Sequence, residues 1–138
     1  MNKLQRRILT SLTLVLGLGG VSGLAYADST GDWGRVVSVR VTAQGSDDYG
    51  RFRGKVELAG RRTHPKKRPE ITEYVWGGSS CPGRDLSDSQ VHQLQDAMTH
   101  RAHLRLLPYY KPGQGGAKCI VGFDVRGREA LPPGTPPV

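Results

Sequence analysis

The sequence predicts an α+β domain in which a mainly antiparallel sheet of about five strands carries one helix packed on one face. Three observations predict this class. Two runs that alternate apolar and polar residues flank a short polar loop, as in an antiparallel hairpin. One later segment has helical periodicity and a full set of capping residues at its start. Strand-like runs lie on both sides of that segment, so the predicted element order is β-β-β-α-β-β.

The hairpin is predicted over Arg35–Ala43 and Arg51–Ala59, and residues 45–50 between them are typical turn formers. The residues expected to face the core are Val37, Val39, Val41, Phe52, Val56 and Leu58. The other face of this hairpin is charged, which predicts a half-buried pair of strands with one side in water.

A third strand is predicted over Glu70–Trp76, because this run is rich in β-branched and aromatic residues. Both of its faces are apolar: Ile71 and Val75 lie on one side, Tyr74 and Trp76 on the other. Such a strand is either covered on both sides or contributes to a binding surface. The pattern leaves both possibilities open.

The helix is predicted over Asp88–Arg101. Ser87 is the expected N-cap, and Gln90 stands three residues later, which completes a capping box. Leu86 and Val91 occupy the two positions of a hydrophobic staple. These signals agree on one boundary, so the sequence predicts the start of the helix to the residue.

Helical spacing divides this segment into two faces. The core-facing residues are expected to be Val91, Leu94, Ala97, Met98 and Ala102. On the opposite face, His92, Asp96 and His100 recur at four-residue intervals, with His103 just beyond. Imidazole and carboxylate groups are ligands for divalent transition metals, so these three residues are a candidate metal site. The alternatives are a pH-sensitive patch or an ordinary solvated face.

Two more strands are predicted after the helix, over His103–Lys111 and Lys118–Val125. Pro108 is expected to end regular pairing in the first or to mark a sheet edge. The loop between the strands is rich in glycine and begins at Tyr109 and Tyr110. Tyrosine gives contact area at low entropic cost, so Tyr109, Tyr110 and Trp76 are the candidate surface for a protein partner. Packing of the two tyrosines in the core or at the sheet edge is the alternative.

The first 27 residues are predicted to be a secretory signal. Lys3, Arg6 and Arg7 form its basic region, Ile8–Leu18 is its apolar core, and cleavage is expected after Ala27. Removing this segment would lower the net charge from +8 to +5, because it contains no acidic residue. The protein is therefore expected to be exported, to the periplasm or the medium, with no transmembrane segment after cleavage.

The remaining chain divides into a single domain over residues 28–126 and a Pro-rich tail over 127–138 that is expected to be disordered. The domain contains both cysteines, Cys81 and Cys119. In an oxidising compartment a lone pair of cysteines is predicted to form a disulfide. A reactive Cys81 thiolate near the helix start is the alternative.

Basic residues are concentrated in the first half of the domain. Residues 60–69, GRRTHPKKRP, contain five cations and no acid, and two prolines predict a loop. Together with the exposed face of the hairpin, this segment predicts an anion-binding surface formed by Arg40, Arg51, Arg53, Lys55, Arg61, Arg62, Lys66, Lys67 and Arg68. The alternative is a solvated basic loop that keeps the protein soluble. Nucleic acid is not the expected ligand, because no aromatic residue interrupts the basic run to stack on bases.

Three function classes follow from these patterns. The first is a non-catalytic binding or inhibitory module that recognises a protein partner. The second is a protein that binds an anionic polymer or the cell-envelope surface through its basic segment. The third is a small hydrolase that uses His92, Asp96, His100 or His103. A general base normally lies in a cleft, whereas this helix face is expected to be exposed, so no enzyme and no cofactor are predicted.

Overall fold

The computed structural model describes residues 28–127. The predicted signal segment and residues 128–138 of the predicted tail lie outside this range. Gly127, which the sequence assigned to the tail, is the last residue of the final strand.

Over these residues the fold is α+β, with one α-helix and a six-stranded mixed sheet. The elements are β1 (Ser29–Thr30), β2 (Arg35–Val41), β3 (Gly54–Ala59), β4 (Ile71–Trp76), α1 (Asp88–Thr99), β5 (Leu104–Pro112), a short 3-10 helix (Gln114–Gly116) and β6 (Lys118–Gly127). The strand order is β1-β5-β6-β4-β3-β2. All neighbours are antiparallel except β4 and β6, which run parallel. The predicted class is therefore confirmed, but the sheet has one more strand than expected and contains a parallel pair.

The sheet curls so that the residue before β2 reaches β5. Gly34, just before β2, bonds to Leu106 of β5 in both directions, with N···O distances of 2.9 and 2.8 Å. These two strands stand near opposite ends of the strand order, so the sheet is nearly closed. Helix α1 lies against β2 and β5 and places Leu94 and Ala97 inside the curl.

Two apolar clusters occupy the two faces of the sheet. The inner cluster, which includes the helix, consists of Val36, Val56, Leu58, Tyr74, Trp76, Leu94, Ala97, Leu106 and Ile120. The outer cluster contains Phe52, Val75 and the two cysteines. Strand β4 is thus covered on both faces at its C-terminal end, whereas Ile71 at its start is 50% exposed. Phe52 was expected to join Val56 and Leu58 but lies before β3, in the outer cluster.

A β-bulge shifts the alternation predicted for β2. The pairing with β3 is interrupted between Val36 and Ser38, so one extra residue is inserted there. As a result Val36, not Val37, is fully buried. Of the three β2 valines that were expected to face the core, only Val39 packs against the inner cluster. Val41, expected inside, is 54% exposed.

Pro108 lies in the middle of β5 rather than at its end. It pairs with Phe123 of β6, and its carbonyl oxygen accepts a hydrogen bond of 2.9 Å from the Gly31 amide. Gly31 follows β1, which pairs with β5 over only two residues. The missing N–H of the proline therefore points toward this sparsely paired edge, where its loss costs no ladder bond to β6.

The start of helix α1 is as the sequence predicts. The Ser87 side chain accepts from the Gln90 amide at 3.3 Å, and the Gln90 side chain accepts from the Ser87 amide at 2.9 Å. The helix ends at Thr99, two residues before the predicted Arg101. Ala102 therefore lies outside the helix and is exposed, so the core-facing stripe ends at Met98.

The predicted disulfide is confirmed. Cys81 and Cys119 are bonded, both are fully buried, and their Cα atoms are 5.6 Å apart. Cys81 follows a turn in which Gly77 and Gly78 adopt φ values of +68° and +63°, a conformation that favours glycine. The bond joins this turn to the start of β6.

Candidate functional site

The three aromatic residues predicted to contact a protein partner do not form one surface. Trp76 is 2% exposed and belongs to the inner cluster. Tyr110 also packs against that cluster, with its ring centroid 5.4 Å from that of Tyr74. The Tyr109 hydroxyl donates a 2.9 Å hydrogen bond to Asp124. Burial and alternation along β5 therefore separate these side chains.

The candidate metal site is not assembled. His92, Asp96 and His100 are all exposed, and no cluster of three or more His, Cys, Asp or Glu side chains suited to a metal occurs within residues 28–127. The physical reason is the position of the helix end. His100 is the C-cap, with φ −98° and ψ 26°, and its Nδ1 lies 3.0 Å from the carbonyl oxygen of Asp96. His103 is exposed in the turn that follows.

Three of the four cations of the hairpin face already have a polar partner within the molecule. Arg40 pairs with Asp48 at 2.9 Å, and Lys55 pairs with Glu73 at 2.7 Å. The Arg53 guanidinium bonds to the Tyr49 carbonyl and lies 3.7 Å from the centroid of that ring. The Arg51 guanidinium is 5.3 Å from the centroid of the Phe52 ring but forms no ion pair within residues 28–127.

The loop of residues 60–69, called the basic loop below, is different. Its five cations are Arg61, Arg62, Lys66, Lys67 and Arg68, and all are exposed. None of them forms an ion pair with any residue in the described range. The loop joins β3 to β4, and the Gly60 amide donates to the Glu70 carbonyl at 2.9 Å, so its two ends are fixed by the sheet. The structure thus presents five uncompensated positive charges on one short connection.

A groove of about 590 Å³ lies on the outer face of the sheet, a site that the sequence did not predict. Its apolar lining comes from Phe52, Ile71, Val75 and Ala117, and its charged lining includes Arg51 and Glu70. The outer cluster with the disulfide lies beneath it. The lining comes from four separate stretches of chain, so no local pattern could reveal it. No histidine within residues 28–127 lines this groove.

Two tyrosines have raised pKa values. Burial raises the pKa of Tyr74 above the ordinary 10.0, with smaller contributions from Tyr110 and Asp32. The hydrogen bond to Asp124 is the main cause that raises the pKa of Tyr109. Both phenols are therefore neutral at physiological pH, and neither is activated as a base or nucleophile.

No helix within residues 28–127 has the length and apolar character needed to cross a membrane. The sequence matches no protein-family model, and searches of curated proteins and of solved structures find no similar chain.

Proposed function

We propose that this chain is a non-catalytic protein that binds an anionic polymer through its basic loop. One observation carries the proposal: the five cations of the loop are exposed and without ion pairs in the described range, whereas Arg40, Lys55 and Lys111 are paired with acids. Cations that are not neutralised by the protein remain available for phosphate or carboxylate groups of a ligand.

The way in which β3 and β4 anchor the basic loop supports the proposal. Strands β3 and β4 pair without interruption from Gly54–Trp76 to Ala59–Ile71, so the loop projects from a rigid hairpin. Within it, the Lys67 amide donates to the His64 carbonyl at 3.1 Å. A fixed base lowers the conformational entropy that is lost when the loop binds.

The other two classes are less well supported. The residues nominated for a protein partner are buried or already bonded, and the histidines lie on an exposed surface outside the groove. If the chain is exported as we expect, the polymer belongs to the cell envelope or its surroundings. That location is part of the proposal.

The test is the salt dependence of binding to linear polyphosphate and to polyglutamate, measured by fluorescence titration. If all five cations make contacts, and counterion release follows the single-strand slope of about −0.7 per contact, affinity should fall roughly a hundredfold between about 50 and 200 mM salt. Vesicles of phosphatidylglycerol form a separate arm, which distinguishes a polymer from a lipid surface.

A matched pair of double variants distinguishes binding by the basic loop from attraction by the net charge of the protein. The double variant Lys66→Gln, Lys67→Gln should lower the slope by about 1.4. The double variant Arg101→Gln, Arg126→Gln removes the same charge from exposed positions outside the loop and should leave the slope nearly unchanged. Equal losses in the two variants, or no saturable binding to either polymer, would show that the proposal is wrong.

A further inference from the structure

Among the described residues 28–127, strand β4 has an open backbone edge. It pairs with β3 along its whole length, but with β6 only where Val75 meets Cys119. The parallel alignment explains why the pairing is so short. Strand β6 begins at Lys118, opposite the end of β4, so the part of β4 before Val75 has no β6 residue beside it. The chain before β6 forms the 3-10 helix Gln114–Gly116, which lines the groove.

The ladder shows which backbone groups face that edge. In an antiparallel pair, residues that bond to the partner strand alternate with residues whose amide and carbonyl point away. The Glu70 carbonyl accepts from Gly60, on the β3 side. The amides and carbonyls of Ile71 and Glu73 therefore point the other way, toward the groove. Val75, next in this alternation, meets β6 on the same edge.

The groove thus has a polar backbone wall beside an apolar floor. Ile71 is 50% exposed at one end, and Phe52 and Val75 lie below. Within residues 28–127, the backbone amides and carbonyls of Ile71 and Glu73 form no hydrogen bond to β6 or to the segment before it. A donor and an acceptor repeated every second residue match one ligand chemistry, the backbone of another extended polypeptide.

We propose that this groove binds an extended segment of a partner protein, which adds to the sheet as a strand along Ile71 and Glu73 of β4. The segment would continue the line of β6 past Lys118. Its alternate side chains would contact Phe52 and Val75, while the others would face away from this floor. This site differs from the basic loop in position and in ligand, and it does not depend on the function proposed above.

The charges at the two ends of the groove define the segment further. Arg51 lies near the Val75 end of the groove, where its carbonyl oxygen accepts a 2.9 Å hydrogen bond from the Ser80 amide. Glu70 lies at the other end. Neither forms an ion pair within the described range, whereas Glu73 is neutralised by Lys55 at 2.7 Å. The complementary segment has an acidic residue near Arg51 and a basic residue near Glu70, about four to six residues apart.

The open edge is testable without a ligand. Amide hydrogen exchange by NMR should show Ile71 and Glu73 exchanging about a hundredfold faster than Thr72 and Tyr74, whose amides point toward β3. Equal protection of the four amides would mean that the edge is already covered, and would overturn the proposal.

The ligand test uses a displayed library of random peptides, each about twelve residues long so that it spans β4. Enriched peptides should carry an apolar residue flanked by an acid and a base, and their binding should protect the Ile71 and Glu73 amides. When the library is selected against the Arg51→Glu variant, the enrichment of acidic residues in the peptides should disappear. Selection against the exposed control variant Arg101→Glu should leave that enrichment unchanged. The absence of any enriched peptide would overturn the proposal.

A second pair of variants tests the backbone directly. Glu73→Pro removes the groove-facing amide, and Glu73→Ala retains it, while both lose the ion pair with Lys55. A selected peptide should bind Glu73→Ala normally and Glu73→Pro at least tenfold more weakly. Equal binding to both would assign recognition to side chains and reject strand addition. If Glu73→Pro does not fold, the same peptide is added to the native protein and hydrogen exchange is measured. Protection of the Ile71 and Glu73 amides would support strand addition, and unchanged exchange would reject it.

Discussion

Val75 of β4 and Cys119 of β6 form the single parallel pair that joins the two halves of the sheet in residues 28–127. On one side of this pair lie β2, β3 and β4, and on the other lie β1, β5 and β6. Cys119 is also bonded to Cys81, so a junction of one residue pair is reinforced by a covalent link.

The double variant Cys81→Ser, Cys119→Ser should be strongly destabilised. The bond closes a loop with a sequence separation of 38, for which chain entropy predicts about 4 kcal/mol. Both sulfurs are also buried, so two hydroxyls would replace apolar contacts. Urea unfolding of the oxidised parent and the variant measures the difference. A loss below about 1 kcal/mol would contradict the expected role of the bond.

Leu94→Ala should lower the free energy of unfolding by about 2–5 kcal/mol, because Leu94 is fully buried between the helix and the sheet. His92→Ala on the exposed face of the same helix should change it by less than about 0.5 kcal/mol. Thermal unfolding of both variants gives the comparison. Adding zinc should leave the melting temperature of the parent unchanged, and a rise that His92→Ala abolishes would restore the metal-site hypothesis.

Ser87→Ala should cost about 1 kcal/mol, since the side chain satisfies the amide of Gln90 and no other residue in the described range does so. Ser79→Ala is the matched control, because Ser79 is exposed and contributes only its backbone amide to a hydrogen bond. The two variants are compared by chemical denaturation. Similar stabilities would mean that tertiary packing alone fixes the helix start.

Stability should fall as the pH rises above 10. The pKa of Tyr74 is raised in the folded state, chiefly by burial, from the ordinary 10.0. Below that pH both states hold the proton and the contribution of the neutral phenol is complete. Above it the unfolded chain releases the proton first, so the free energy of unfolding decreases until the folded pKa is passed. Unfolding curves should show a smaller decrease for Tyr74→Phe, and an identical decrease would refute this assignment.

Local chemistry predicted part of this fold well. The capping box between Ser87 and Gln90 depends on residues three positions apart, so the sequence contains all the information that it needs. The disulfide followed from the presence of only two cysteines. The basic loop was recognised by composition, and the structure adds that its cations are uncompensated within the described range.

The remaining features depend on contacts that the sequence does not encode locally. Strand β1 has only two residues and exists because Ser29 and Thr30 pair with β5. The bulge after Val36 depends on the register with β3 and reverses the expected alternation. The open edge of β4 results from where β6 begins relative to Val75, a relationship between residues more than forty positions apart in the chain.

The arrangement of the sheet also determines how the chain folds. Strands β2, β3 and β4 pair in chain order, and β5 pairs with β6 across a short connection, so each half can form from local contacts. The junctions between the halves, Gly34 with Leu106 and Val75 with Cys119, close long loops and carry most of the entropic barrier. The disulfide closes one of these loops before folding begins. The oxidised chain should therefore refold faster than the reduced chain, because one of these two loop closures has already been made.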